Sequence, residues 1–161
     1  MSGHLLQPAI LGGLVMGVLS ALPVVAVGNL CCCLWVVCGG LAAAYLLQQN
    51  QPAPLTPGDG ALVGLIAGVF GACIFLILFI PVTILLAPMQ QQVIERLIDS
   101  GRMPPEVREY MTSYAGGLVG VAVNFVAMLV AGVVFSTLGG LLGAAVFRKP
   151  PAPLQSGVPP A

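Results

Sequence analysis

The sequence predicts an all-α fold: an integral membrane four-helix bundle, with a duplicated helical hairpin as its candidate repeat. Three observations carry that reading. Between Gly60 and Ala87 no residue is charged, a run long enough to cross a bilayer and too apolar to remain in water. Within it Gly60, Gly64, Gly68 and Ala72 fall four apart, so small side chains line one helical face and a second helix can approach closely. Of the 161 residues, 58% are hydrophobic and only 6% charged, against roughly 25% charged in soluble domains.

The charge balance excludes whole classes of partner. Five Lys/Arg offset five Asp/Glu, which leaves no basic surface for nucleic acid. Membrane lipid is the expected surrounding. Residues 1–7 carry no Lys or Arg ahead of the first apolar run, so that run lacks the charged leader of a cleaved signal peptide and reads as a retained span.

Residues 8–27 form the first expected span, with Gly13 and Gly17 four apart and Pro23 as a kink near its end. Gly28 and Asn29 alone separate it from the second span, 30–47, which predicts a tight antiparallel hairpin. Trp35 and Tyr45, towards opposite ends of span two, are placed for anchoring at the two interfaces. Residues 48–59 are a polar linker whose prolines prevent a continuous helix. Thr56, Pro57 and Asp59 spell an N-cap and its capping-box partner, which starts span three, 60–87.

Residues 88–114 hold most of the charge, with Glu95, Asp99, Glu106 and Glu109 beside Arg96, Arg102 and Arg108. Val93, Ile94, Leu97 and Ile98 recur there at helical spacing opposite polar residues, the pattern of a short amphipathic helix lying along the interface. Gly101 to Pro105 breaks it. The fourth span, 115–147, is again lined with small residues, among them Gly116, Gly120 and Gly140. Its end is marked by Arg148 and Lys149, and the tail, 148–161, is too rich in proline to fold alone. G-L-V-M-G-V-L-S-A from Gly13 parallels G-L-I-A-G-V-F-G-A from Gly64, and Gly39-Gly40 parallels Gly139-Gly140, which suggests a duplicated pair. Arg148 and Lys149, abutting a span, favour cytoplasmic termini, whereas a strict count of the three loop arginines favours the reverse.

Chemistry-bearing residues are sparse. No ionisable side chain lies inside a predicted span, as a proton pump or ion-coupled transporter would require. Asn124 is the most informative buried polar residue: its expected role is an interhelical hydrogen bond, and its competing role is a contact to a pigment, ion or solute. Cys31, Cys32, Cys33 and Cys38 fall within eight residues, but three consecutive helical positions point about 100° apart and cannot converge on one metal ion. They read as packing residues. No metal or cofactor is expected.

The stretches Asn29 to Trp35, Gly58 to Gly64 and Met103 to Arg108 resemble a group of small uncharacterised bacterial four-span membrane proteins with a cysteine cluster and glycine-rich helices. The resemblance covers the spans and implies a multi-pass protein of the bacterial cytoplasmic membrane, without an activity to carry over. Some of that group bear a zinc-ribbon segment before the first span, for which this sequence shows no counterpart. The expected function is non-enzymatic: a structural or accessory subunit of a homo-oligomer or larger membrane complex. The helix-packing positions are Gly13, Gly17, Gly60, Gly64, Gly68, Gly116, Gly120 and Gly140. The competing function is a path for a small solute or ion between oligomerised glycine-rich helices.

Overall fold

The computed structural model describes residues 3–22, 25, 29, 33–99, 101, 104, 106–107 and 118–149. Among the described residues four helices pack into an all-α bundle: α1 (Gly3–Ala21), α2 (Leu34–Gln49), α3 (Pro57–Asp99) and α4 (Leu118–Val146). Three of them, α1, α3 and α4, are long and apolar enough to cross a membrane by length and composition, whereas α2 is a shorter apolar helix. Its 16 residues rise about 24 Å. That falls short of the roughly 30 Å hydrocarbon core, so the length of α2 does not by itself establish the fourth crossing that the sequence predicts.

Backbone contacts set the order and direction of the helices. Gly12 of α1 lies against Gly39 and Ala43 of α2, while Met16 lies against Gly39, so the first pair is antiparallel. Gly60, Gly64 and Gly68 of α3 meet Gly140, Ser136 and Gly132 of α4 in turn, which makes the second pair antiparallel as well. The second hairpin lies alongside the first and runs in the same directions, α3 against α1 and α4 against α2. In the middle sits Met16, fully buried. Its thioether is within 3.0 Å of where a Cβ would stand on Gly71 or Gly132, so one flexible side chain fills the space that three helices leave.

At one end of the bundle a polar layer closes the structure. Gln48 is 3% exposed although its type is usually on the surface, and its hydrogen bonds explain why. Its Oε1 accepts from the Leu55 amide at 2.7 Å and from the Lys149 amide at 3.4 Å, while its Nε2 donates to the Ala53 carbonyl at 3.0 Å. Lys149 Nζ also donates to the Gln51 carbonyl at 3.1 Å. One side chain thus ties the end of α2, the linker and the end of α4. Leu55, buried beneath this layer, joins Leu47, Val63, Ile66 and small alanines in the apolar core.

Three expectations about the elements are corrected. α1 starts at Gly3 and contains Pro8; a proline this close to the start removes only one early hydrogen bond. The connection to α2 is longer than Gly28 and Asn29: Leu22 is a bend, and α2 begins only after Cys33, which adopts a left-handed backbone (φ 51°). The amphipathic stretch after Ala87 is no separate interfacial helix but the continuation of α3. From Met89 to Asp99 the sequence holds neither Gly nor Pro, and Pro88 takes away a single bond. The helix ends where Gly101 takes a left-handed conformation (φ 65°) and its amide donates to the Ile98 carbonyl at 3.1 Å. α3 starts as its capping signal implies: Thr56 Oγ1 accepts from the Asp59 amide at 3.2 Å and donates to the Asp59 carboxylate at 2.6 Å. Pro23, Gly116 and the tail from Pro150 lie outside the described residues.

Candidate functional site: a cleft between the helix ends

The glycine positions predicted from spacing occupy defined contacts. A Cβ on Gly13 would stand 2.8 Å from the Ala67 carbonyl oxygen, and one on Gly17 2.8 Å from that of Gly71, both on α3. A Cβ on Gly60 would stand 2.5 Å from the Gly140 oxygen, and those on Gly64 and Gly68 would overlap the carbonyls of Ser136 and Gly132. Gly140 faces Gly60 in return, and Gly120 is buried. Every one of these contacts lies within a single chain. Spacing alone misses Gly12, Gly39 and Gly71, because each stands one residue away from a row chosen by its period of four. Gly71 belongs to a second face of α3, turned to α1.

The cavity of chemical interest lies at the end of the bundle away from the Gln48 layer. It measures about 550 Å³ and is bordered by the end of α1, the start of α2, the Phe75–Thr83 turns of α3 and the Asn124–Ala131 turns of α4. It forms because α3 and α4 continue beyond α1. Phe75 and Phe79, stacked at a 5.0 Å centroid separation, supply one wall, and Val36 and Met128 add apolar surface.

Among the described residues, the uncharged polar side chains of Ser20, Asn29, Thr83 and Asn124 border this cavity. Asn29 Nδ2 donates to Ser20 Oγ at 2.9 Å, which ties the α1–α2 connection to α1 and leaves Asn29 Oδ1 buried without a partner. The Thr83 hydroxyl turns back on its own helix, donating to the Phe79 and Ile80 carbonyls at 2.9 Å. Asn124, expected to bridge helices, instead stands exposed at the cavity and has no hydrogen-bond partner among the described residues. Trp35 is half-buried and donates its indole N–H to the Val25 carbonyl at 2.6 Å, so it ties α2 to a residue of the preceding connection. Tyr45, at the opposite end of α2, is exposed, accepts from Gln49 and packs edge-on against Phe147.

Cys33 lies at the cavity, Cys38 is half-buried and Cys73 is exposed, whereas Cys31 and Cys32 lie outside the described residues. Among the described residues no three His, Cys, Asp or Glu side chains gather as a metal would need. The site therefore offers neutral hydrogen-bonding groups beside aromatic and aliphatic walls. Asn29 and Thr83 are visible in the sequence as polar residues in apolar surroundings; what the sequence does not disclose is that they border one cavity with Asn124.

Residues 6–149, which include nearly all of the four helices, match the profile of a family described as the MJ1491 transmembrane domain. No curated protein and no solved structure gives a significant match.

Proposed function

The chain belongs to the MJ1491 transmembrane domain family, and from that premise and the unequal lengths of its helices we propose that it is a non-enzymatic accessory subunit of a membrane assembly. The docking surface is the part of α3 and α4 that outruns α1. Gly17 of α1 meets Gly71 and Ile74 of α3, so α1 ends near the level of Leu78. α3 stays apolar to Met89, about 16 Å further at 1.5 Å per residue.

That overhang is the observation on which the proposal rests. The apolar part of α3, Pro57–Met89, has 33 residues and extends about 50 Å. Tilting a helix by 40°, the upper end of the usual range, would still leave about 38 Å to fit a hydrocarbon core of roughly 30 Å. Apolar helix therefore remains to be covered, and its side chains are open: Ile84 is 70% exposed and Leu85 78%. Helices of another subunit, or of a second copy, would cover them. A bacterial cytoplasmic membrane is the setting that the sequence resemblance supports.

The test is the native mass of the protein taken from its own membrane in mild detergent, with identification of what accompanies it, for the natural chain and for Leu85→Glu. The subunit reading expects a mass above that of the monomer, and its loss in the variant while helicity is unchanged. A monomer in both cases overturns it. A solute-conducting role is the second reading, favoured by the partnerless Asn124 at the cavity; flux in reconstituted vesicles that Asn124→Leu abolishes would establish it.

A further inference from the structure

We propose that the cavity between α1, α3 and α4 is a binding site for a neutral lipid carrying a free hydroxyl, with Asn124 as its hydrogen-bonding anchor. The inference goes beyond the subunit reading and does not depend on it.

An amide among apolar segments needs a partner, because an unsatisfied polar group in hydrocarbon costs several kcal/mol. Asn124 has none among the described residues and stands open to the cavity. It lies six residues inside the start of α4, on a stretch with the composition of a membrane span, and borders the same cavity as Val82 and Thr83 of α3. The same cavity holds the Asn29–Ser20 pair, whose Oδ1 is unsatisfied as well. A hydroxyl suits such a site, since it donates to an amide oxygen and accepts from an amide N–H.

The walls select the rest of the ligand. No Asp, Glu, Lys, Arg or His is among the described residues that line the cavity, so a charged headgroup would enter without a counter-charge. Phe75, Phe79 and Met128 present apolar surface to a chain. Beside Asn124 and Ala127, the exposed Val123 and Val126 continue the apolar surface of α4 with groups suited to lipid. A volume of about 550 Å³ lies within the usual range for small-molecule sites, about 300–1,000 Å³.

The experiment uses the full chain in lipid nanodiscs with a long-chain fatty alcohol bearing a photoreactive diazirine in its chain. Its methyl ether and its primary amine serve as comparison probes. Labelled peptides are identified by mass spectrometry. The proposal expects labelling by the alcohol to concentrate on residues 75–83 and 124–131, with the ether and the ammonium form labelling that region on the order of tenfold less. Asn124→Leu should lower alcohol labelling there by a similar factor. Ala127→Phe, which fills the cavity and leaves the amide in place, should block labelling and decides the matter if the first variant does not fold. Leu142→Phe, on the exposed face of α4, should change nothing. Equal labelling by alcohol and ether overturns the proposal, as does labelling spread evenly over exposed residues such as Leu141 and Leu142, which would mean that water satisfies Asn124. Displacement of the alcohol probe by glycerol at millimolar concentration would point to a water-soluble polyol as the occupant and would also overturn it.

Discussion

Gly64→Ala probes the close contact between α3 and α4. The added Cβ would overlap the carbonyl of Ser136 and stand 3.1 Å from the Cα of Thr137. Both neighbours are backbone atoms of α4, so no rotamer change relieves the clash and the helices must separate locally. Overpacking of this kind costs about 1–3 kcal/mol, and the better helix propensity of alanine returns up to about 1 kcal/mol. The expected net loss is therefore up to about 2 kcal/mol. Gly58→Ala is the matched control on the same helix: the nearest atom to its Cβ is Thr56 Oγ1 at 3.8 Å, so stability should stay level or rise by up to about 1 kcal/mol. Reversible unfolding in mixed micelles, followed by helicity during titration with a denaturing detergent at several protein concentrations, measures both. The loss in Gly64→Ala should not depend on protein concentration, because the partner helix is in the same chain. Equal stability of the two variants would refute the close-contact reasoning. A loss that vanishes on dilution would mean that the row joins separate chains.

Other side chains give sharp expectations in the same assay. Met16→Ala empties the space between α1, α3 and α4 and should cost about 2–5 kcal/mol, since Met16 is fully buried. Gln48→Leu leaves the buried amide of Leu55 without its acceptor and should cost about 1–3 kcal/mol, with amide exchange at Leu55 rising as the local signature. Ser136→Ala runs the other way: Ser136 is fully buried and its hydroxyl has no partner, so its removal should be neutral or raise the unfolding midpoint by the equivalent of about 1 kcal/mol.

The small-residue rows were legible in the sequence because they depend only on spacing along one helix. Which rows meet was not, since the pairing of Gly64 with Ser136, and of Gly13 with Ala67 and Gly71, depends on how each helix is rotated against its neighbours. The boundaries failed for a related reason. Residues 22–33 are nearly as apolar as a span, and hydropathy does not mark where within such a run one helix stops and the next starts, here at Ala21 and Leu34. Hydropathy bounds span three at Ala87, but a proline such as Pro88 between good helix formers need not break a helix, and α3 continues to Asp99. Asn124 stands out in the sequence as an amide deep in an apolar run, but its expected interhelical bond requires a facing partner that only the three-dimensional arrangement supplies or withholds.

The distribution of residue sizes has a thermodynamic consequence. Gly, Ala and Ser occupy the inter-helical contacts, while leucines, valines and isoleucines such as Leu62, Leu65, Val130 and Leu142 point outwards. Association of these helices transfers little large apolar surface out of water, because their surroundings are lipid in both the associated and the separated state. What holds them is dispersion between closely apposed backbones, aided by Cα–H···O contacts. The heat-capacity change that accompanies apolar hydration in soluble domains is therefore small for separation of these helices within a bilayer. Stability should vary almost linearly with temperature, without the pronounced maximum of a water-soluble fold. Cooling should not loosen this bundle through a fading hydrophobic term.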